Sequence, residues 1–428
     1  MNWLLLALMV FLFFTGMPIV LAVGFCSLIY AAFVAGVPLS IIPQQAVSAI
    51  DTFVLLAIPL FILTGTLMTE TDVTVRLVRF SQCLIGWVRG GLAQVNVLTN
   101  VFMAGISGSG LADAAATGSA LIPVMKRTGY GAAFSAAVTA CASCIGPIIP
   151  PSVIMVVIGG LTSISIGRMF LGGVVPGLIL GGLFGIVCYV VSRRRNYPVA
   201  GRFDLRETGR SFIAALPSLG LPVIIIGGIL TGAFTPTESA GVAAIYVIIL
   251  GLIYRALTWS RFYRAMVETA VVTGTVMFVV GISSIFGWIL IAENAGDAIA
   301  SGLKSLTADP RTMMLLITAV LLVLGCVMEV LAILILSVPV LMPVVEATHI
   351  NPVYFGVIAT IALATGLVTP PFGLSMFLMC KLADVSIEAF SREAIPFVLC
   401  LVAVLVLLIY FPGLILWLPN AIMGESAS

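Results

Sequence analysis

Seven apolar stretches of this chain are long enough to cross a lipid bilayer as helices, which takes about 20 residues each. They lie near residues 3–35, 51–70, 170–192, 212–233, 238–256, 266–292 and 392–411. Only 8% of the side chains are charged and 61% are hydrophobic, which leaves too few charges for an ordinary water-facing surface. A soluble globular protein is therefore excluded. The sequence predicts an all-α polytopic membrane protein whose outer side chains contact membrane lipid.

Arginine-rich segments predict which loops face the cytoplasm, because positively charged loops are retained there during insertion. Three clusters occur: Arg76, Arg79 and Arg89; six arginines within 193–210; and Arg255, Arg261 and Arg264. Segments 74–90 and 294–310 are amphipathic and predict helices that lie along the membrane interface. For 74–90, an ordinary cytoplasmic loop helix is an equal alternative. The net charge of +2 gives no field that would attract nucleic acid.

The second half of the chain repeats the first at a constant offset of 220 residues. Gly146 matches Gly366 (366 − 146 = 220). Pro151 matches Pro371 at the same offset. Each copy is predicted to contain a span, an interfacial helix, a hairpin, a broken span and a final span. These make three net crossings, so the second copy is inverted in the membrane. Paired interruptions in inverted repeats indicate a secondary transporter whose site lies at the breaks.

The predicted fold therefore has two inverted-topology repeats with re-entrant helical hairpins and broken helices. The predicted segments are an N-terminal scaffold helix or helices in 1–50; a first repeat in 51–192 with an interfacial helix at 74–90, a hairpin at 92–127 and a broken span at 130–165; a basic cytoplasmic loop at 193–210; scaffold helices in 211–265; a second repeat in 266–412 with a hairpin at 313–346 and a broken span at 352–383; and a C-terminal tail at 413–428. Residues 3–35 form either one long span or two short helices.

The helix breaks carry the predicted chemistry. Backbone groups without partners are costly in hydrocarbon, so a broken helix indicates a polar cavity or a bound ion. Free carbonyls and hydroxyls suit Na⁺ better than H⁺, which needs a chain of carboxylates and histidines. The candidate ligands of a first Na⁺ are Ser107, Ser109, Gly146, Ile149 and Pro151. Those of a second are Gly325, Gly366, Thr369 and Phe372.

Four polar residues near the breaks are candidates for binding a substrate: Ser109, Asp113, Ser152 and Glu329. Glu329 lies in an otherwise apolar stretch, where an acid is functional by default. Asp113 is an equal candidate for capping the second leg of its hairpin. For Ser107 and Ser109, close helix packing is the alternative role. Elsewhere, Thr235 to Glu238 predicts a capping box, and His349 is expected in a solvated loop.

An intramembrane serine protease is the main alternative function, because Ser107 and Ser109 lie in a Gly-Ser context within the membrane. Such an enzyme needs a base. The candidates are His349, which lies in the opposite repeat, and Lys126, which lies at the end of a hairpin. A passive channel is a third possibility, but a continuous pore does not require paired hairpins. The sequence therefore favours a transporter over an enzyme.

Several segments of this chain resemble a known family. The hairpin GISGSGLADAAATGSALIPVM, the break GPIIPPS, its partner GLVTPPFG and the segment PLFILTGTLM are similar to the large (M) membrane subunit of tripartite ATP-independent periplasmic (TRAP) transporters. The resemblance implies a bacterial inner-membrane protein and an elevator-type ion-transporter fold. It implies Na⁺-driven uptake of an organic acid, such as a C4-dicarboxylate or sialic acid, with two or more Na⁺ sites on the residues named above. It also implies two partners, a periplasmic substrate-binding protein (P) and a small membrane subunit (Q), the latter expected as a separate chain.

Overall fold

The computed structural model of the 428-residue chain is all-helical in the part it describes. The described residues are 8, 11–12, 15, 17, 19–33, 38–71, 73–201, 203–293, 307, 309–326, 328–371 and 373–424. No β-strand occurs among them. The predicted interfacial helix at 294–310 and the choice between one span and two in 3–35 lie largely outside these residues.

The first half of the chain folds into nine described helices and one 3₁₀ turn. They are α1 (Ile19–Phe33), α2 (Ile41–Ile50), the 3₁₀ turn Phe53–Leu56, α3 (Ala57–Glu70), α4 (Val73–Ile85), α5 (Gly91–Ser107), α6 (Gly110–Arg127), α7 (Ala132–Ser143), α8 (Val153–Thr162) and α9 (Ile166–Arg195). Helices α5 and α6 form the first predicted hairpin. Helices α7 and α8 are the halves of the first broken span.

The second half also folds into nine described helices. They are α10 (Leu205–Leu230), α11 (Pro236–Ile253), α12 (Trp259–Ala292), α13 (Pro310–Gly325), α14 (Val330–Ala347), α15 (Pro352–Gly366), α16 (Leu374–Ala383), α17 (Ile387–Tyr410) and α18 (Gly413–Met423). Helices α13 and α14 form the second hairpin, and α15 and α16 are the halves of the second broken span.

Seven segments in the described part of the chain are long and apolar enough to cross a membrane. The broken helices are shorter. Helices α7 and α8 contain 12 and 10 residues, so at about 1.5 Å per residue each falls well short of a bilayer about 30 Å thick. They are nevertheless the innermost elements, since every residue of α15 from Val353 to Gly366 is buried. A helix that is apolar all round belongs in an interior. The protein is therefore a multi-pass membrane protein with broken helices at its centre.

The helix bounds repeat at the offset found in the sequence. Helix α6 spans 110–127 and α14 spans 330–347, both shifted by 220 (330 − 110 = 347 − 127 = 220). Helices α7 and α15 begin at 132 and 352, again 220 apart. The correspondence that sequence matching found in scattered Gly and Pro residues thus extends to whole helices.

Local capping chemistry explains where several helices begin. The predicted capping box is confirmed, because Thr235 and Glu238 satisfy each other's backbone amides at the start of α11. Asn351 caps α15, with its Oδ1 accepting the amides of Val353 and Tyr354 at 3.0 and 3.2 Å. Pro352 occupies the first helical position, where no amide donor is needed.

Two helices were not anticipated from the sequence. Within the predicted N-terminal scaffold region, residues 41–50 form a separate helix, α2, and the segment assigned as a tail contains α18. Helix α18 packs on α9, where Ile415 is fully buried. At the same contact the Arg168 guanidinium donates to the Met423 carbonyl at 3.1 Å. Both helices are short and contain proline, so neither has the length that marks a span.

Helix α9 packs against the first break through a glycine. A Cβ at Gly173 would overlap the Ile148 carbonyl oxygen and would lie 2.9 Å from the Met155 Cε. Gly182 on the same helix has no atom within 4 Å of its Cβ position. Glycine at position 173 therefore allows the break to approach the backbone of α9. At position 182 no neighbouring atom requires a glycine.

We predict that Gly173→Ala lowers the stability of the purified protein by ~1–3 kcal/mol, because the added methyl group forces the break away from α9. The measurement is the apparent Tm in detergent. Gly182→Ala is the matched control and should leave the Tm unchanged or raise it, since Ala favours a helix over Gly by roughly 0.5–1 kcal/mol. Equal Tm values for the two variants would contradict the proposed packing.

Candidate functional site

The tip of the first hairpin packs directly against the first break. Gly108 turns the hairpin with a φ of +63°, a conformation that favours glycine. A Cβ at this position would overlap the Pro151 carbonyl oxygen. The Gly108 carbonyl also accepts the Val153 amide at 3.5 Å. The contact brings Ser107 and Ser109 to the same break.

Asp113 is fully buried beside this break. The Ser107 hydroxyl donates to its Oδ1 at 2.5 Å. Its Oδ2 has no hydrogen-bond partner in the described part of the chain. A Cβ at Gly146 would lie 2.5 Å from that oxygen, so Oδ2 faces the break. The alternative role of Asp113 as a helix cap is wrong, because Ser109 caps α6.

Within the described part of the chain, three backbone carbonyls of the first break also lack hydrogen-bond partners, as the Asp113 Oδ2 does. Among the described residues, no group donates a hydrogen bond to the carbonyl oxygens of Gly146, Ile149 or Pro151. Ser152 is fully buried and fixes the fold of the break, since its hydroxyl donates to the Pro147 carbonyl at 2.5 Å. The break therefore combines unpaired carbonyl oxygens with a buried carboxylate.

A chain of buried, hydrogen-bonded polar side chains begins at the backbone carbonyl of Asp113. The Thr117 hydroxyl donates to the Asp113 carbonyl at 2.6 Å and lies 3.4 Å from the Asn100 Oδ1. The Asn100 amide donates to the Asn96 Oδ1 at 2.9 Å. The Asn96 amide in turn donates to the Thr139 hydroxyl at 2.7 Å. All five residues are fully buried, so the chain ties α5, α6 and α7 together at the helical turn that carries Asp113.

The sequence analysis missed this chain of polar residues. A signal was present, because Asn96 and Asn100 are four residues apart in a mostly apolar hairpin leg. That spacing places both on one face of a helix, and polar residues at such a depth need partners. The partners Thr117 and Thr139 come from other helices, so only the tertiary structure identifies them.

The second break lies against the second hairpin at a pair of glycines. A Cβ at Gly366 would lie 2.5 Å from the Gly325 carbonyl oxygen. Thr369 is half-buried, and its hydroxyl donates to the Thr365 carbonyl at 2.7 Å. Its amide donates to the Gly366 carbonyl at 3.2 Å. Three of the four residues predicted for the second ion thus meet, and Phe372 lies outside the described residues.

Two of the predicted substrate residues occupy equivalent positions at the hairpin turns. Ser109 and Glu329 are 220 residues apart (329 − 109 = 220) and cap α6 and α14. The Ser109 hydroxyl accepts the Ala112 amide at 3.4 Å, and the Glu329 Oε2 accepts the Ala332 amide at 3.0 Å. The Glu329 side chain is exposed and the Ser109 side chain is half-buried. Each cap therefore holds the tip of a hairpin in shape.

The two breaks contact each other. The Cys144 thiol donates to the Ala364 carbonyl at 3.2 Å, and these positions are 220 residues apart. A Cβ at Gly110, where the first hairpin resumes, would lie 3.4 Å from the Leu367 Cδ1 in the second break. The first hairpin tip and both breaks consequently form one connected region.

The contacts of the serines and of the candidate bases do not support the protease alternative. Ser107 donates to a carboxylate and Ser109 is a helix cap. Lys126 donates to the Ala383 carbonyl at 2.9 Å. His349 lines a separate cleft, whose lining residues include neither serine. No described contact joins a serine to a base.

Comparison with known proteins gives a consistent answer. A profile of the family described as "Tripartite ATP-independent periplasmic transporter, DctM component" matches residues 5–414. The sialic acid TRAP transporter large permease protein SiaM of Vibrio cholerae is 37% identical over 414 residues, covering 96% of this chain and 97% of that protein. The C4-dicarboxylate TRAP transporter large permease protein DctM of Pseudomonas aeruginosa is 38% identical over 371 residues, covering 86% and 87%. The isethionate TRAP transporter permease protein DctMQ of Oleidesulfovibrio alaskensis is 37% identical over 401 residues, covering 93% of this chain and 63% of that longer protein.

Solved structures share the fold at low sequence identity. The YdaH transporter of Alcanivorax borkumensis superposes with a TM-score of 0.62 at 13% identity, covering 85% of this chain and 86% of that one. This likeness concerns the fold alone. The match of the family profile over nearly the whole chain, together with relatives at 37–38% identity, leads to one conclusion: this chain belongs to the DctM-component family of tripartite ATP-independent periplasmic transporters.

Proposed function

We propose that this protein is the transporting subunit of a Na⁺-coupled importer of an organic acid. The observation that carries the proposal is the buried Asp113 carboxylate. One of its oxygens has no hydrogen-bond partner among the described residues and lies against Gly146 of the first break. A buried carboxylate is costly without a positive counterpart. The described hydrogen bond to this carboxylate comes from the Ser107 hydroxyl and not from a cationic side chain, so a bound cation would neutralise it.

The oxygen atoms around Asp113 are suitable ligands for Na⁺. Hard cations prefer oxygen ligands from carboxylates, carbonyls and hydroxyls. Here the set would comprise the Ser107 hydroxyl, Asp113, and the carbonyls of Gly146, Ile149 and Pro151. Asp113 was first considered a substrate residue, but its burial and its contact with Gly146 favour a role in the cation site. Ser109 remains a candidate for both roles.

A second Na⁺ is proposed at Gly325, Gly366, Thr369 and Phe372. Support comes from the close approach of the two glycine backbones and from the half-buried Thr369 hydroxyl. That hydroxyl donates its proton to a carbonyl, so its oxygen lone pairs remain available to an ion.

The proposed substrate is an organic acid of the C4-dicarboxylate or sialic acid type, because such acids are named for relatives of this chain. Ser109 and Ser152 are its proposed contacts near the first break, and Glu329 contributes at the other hairpin. A periplasmic binding protein would deliver the substrate, and a small membrane subunit would complete the membrane part, which we place in the bacterial inner membrane. That the small subunit is a separate chain stays a prediction.

An elevator mechanism is proposed for the transport step. The hairpins and broken helices contact one another closely. For example, a Cβ added at Gly118 of α6 would lie 2.8 Å from the Sδ atom of Met379 in α16. This close packing supports their moving as a unit with the ions and the substrate. The long apolar helices such as α10 and α12 would form the scaffold, with the two repeats inverted relative to each other.

We expect uptake of a labelled organic acid into proteoliposomes to require Na⁺. The vesicles would contain this chain and the small subunit, with the binding protein added or omitted and with either a Na⁺ or a proton gradient imposed. Uptake should occur with inward Na⁺ and binding protein, and should be lost without either one. Uptake driven equally well by a proton gradient alone would overturn the Na⁺ assignment.

Replacing Asp113 by Asn should raise the Na⁺ concentration for half-maximal uptake at least ~10-fold, equivalent to about 1.4 kcal/mol. The substitution keeps the size of the side chain but removes the charge that faces the break. Asp204→Asn is the matched control, since Asn also caps helices and residue 204 lies at the exposed start of α10. An unchanged Na⁺ response in Asp113→Asn would remove this carboxylate from the site.

Thr369→Ala should likewise raise the half-maximal Na⁺ concentration, by a smaller factor of ~3–10, because a neutral hydroxyl is a weaker ligand than a carboxylate. Thr369→Ser keeps the hydroxyl and should respond to Na⁺ as the wild type does. Titration of uptake rate against Na⁺ in both variants makes the comparison. If Thr369→Ala and Thr369→Ser had the same half-maximal Na⁺ concentration, the hydroxyl would have no part in ion binding.

A further inference from the structure

An open cleft of about 620 Å³ lies where α4 meets α10, away from the helix breaks. Its lining includes Arg76, Arg79 and Arg210. The Thr208 hydroxyl of α10 donates to the Cys83 carbonyl of α4 at 3.3 Å and fixes the two helices side by side. Three arginines therefore line one depression, and none of the residues named for the helix breaks is among its lining residues.

Arg76 is held in place at this cleft. Its guanidinium carbon lies 3.8 Å from the centre of the Tyr254 ring, a cation–π contact that orients the group. Its Nε atom is buried and has no hydrogen-bond partner among the described residues. A buried guanidinium N–H that lacks an acceptor is available to a ligand with oxygen atoms.

The charge balance of the cleft is positive. Among the described residues, Glu207 is the carboxylate that approaches it, with an oxygen 3.6 Å from an Arg79 nitrogen. That pair is largely exposed, so it contributes little binding energy and leaves Arg79 free to exchange partners. With Arg76 and Arg210, the described groups at the cleft carry a formal charge of +2 (three guanidiniums minus one carboxylate).

The surroundings of the cleft are those of a membrane interface. Val75, which lines it, is 62% exposed, and Ile213 of α10 is 70% exposed. Just after α4 and just before α10, the rings of Trp87 and Phe203 pack edge to face at 6.3 Å, and aromatic residues concentrate at the level of lipid headgroups. Apolar side chains beside an arginine cluster would suit acyl chains below a phosphate, whereas a soluble anion gains nothing from them.

We propose that this cleft binds the phosphate of an anionic phospholipid in the cytoplasmic leaflet. Arg76 and Arg210 contact the phosphate oxygens, and Arg79 contributes when it releases Glu207. The acyl chains lie against Val75 and Ile213. The site ties the interfacial helix α4 to the scaffold helix α10 through a lipid.

The test measures the binding of fluorescent phosphatidylglycerol to the complex of this chain and the small membrane subunit, purified and delipidated in detergent. Arg76→Gln and Arg210→Gln should each weaken binding at least ~5-fold. Glu207→Gln should tighten it, because it frees Arg79, and a gain in affinity cannot arise from misfolding. Arg392→Gln is the matched control and should bind as the wild type does, since Arg392 is exposed on α17 and pairs with Glu388 at 2.6 Å.

Competition experiments distinguish the sources of the phosphate. Unlabelled phosphatidylglycerol should displace the probe, and phosphatidylcholine or inorganic phosphate at the same concentration should not. Displacement by inorganic phosphate would replace the lipid with a soluble anion and overturn the proposal, as would equal affinity for phosphatidylcholine. Unchanged binding in Arg210→Gln, whose side chain is exposed and whose loss should not affect folding, would also overturn it.

Discussion

A helix that stops inside an apolar interior leaves backbone carbonyls without donors, and this constraint shapes the centre of the protein. At the first break, three such carbonyls occur in the same segment as Gly146, which lies against a buried carboxylate, so negative partial charge gathers in a buried place. The cation proposed at this break would balance that charge, so ion binding and the structure of the break would be coupled.

The two breaks share a backbone plan but differ in chemistry. Position 113 carries a buried Asp, whereas the equivalent position 333 carries a buried Ile (333 − 113 = 220). The equivalent caps also differ, with a hydroxyl at Ser109 and a carboxylate at Glu329. Two ions bound at these breaks would therefore experience different fields, and only the first would have a carboxylate at position 113 or its equivalent.

Much of this architecture could be predicted from the sequence, because its signals are local. Glycine and proline mark the breaks, and Asn351-Pro352 and Thr235 to Glu238 mark helix starts, since the responsible contacts span only a few residues. The pairing of Ser107 with Asp113 and the asparagine chain behind it could not be predicted, because they depend on how the hairpin folds against α7. Helices α2 and α18 were missed because their stability comes from packing, which no periodicity in so short a segment reveals.

The contact between Cys144 and Ala364 has a consequence for how such a chain tolerates change. In a dimer with twofold symmetry, a residue touches its own counterpart only near the rotation axis. Positions related by the duplication meet here within one polypeptide, as they would in an ancestral pair of identical subunits. A bulkier residue at either position would also press on the other half of the chain. Substitutions at one position are therefore constrained by the residue at the equivalent position.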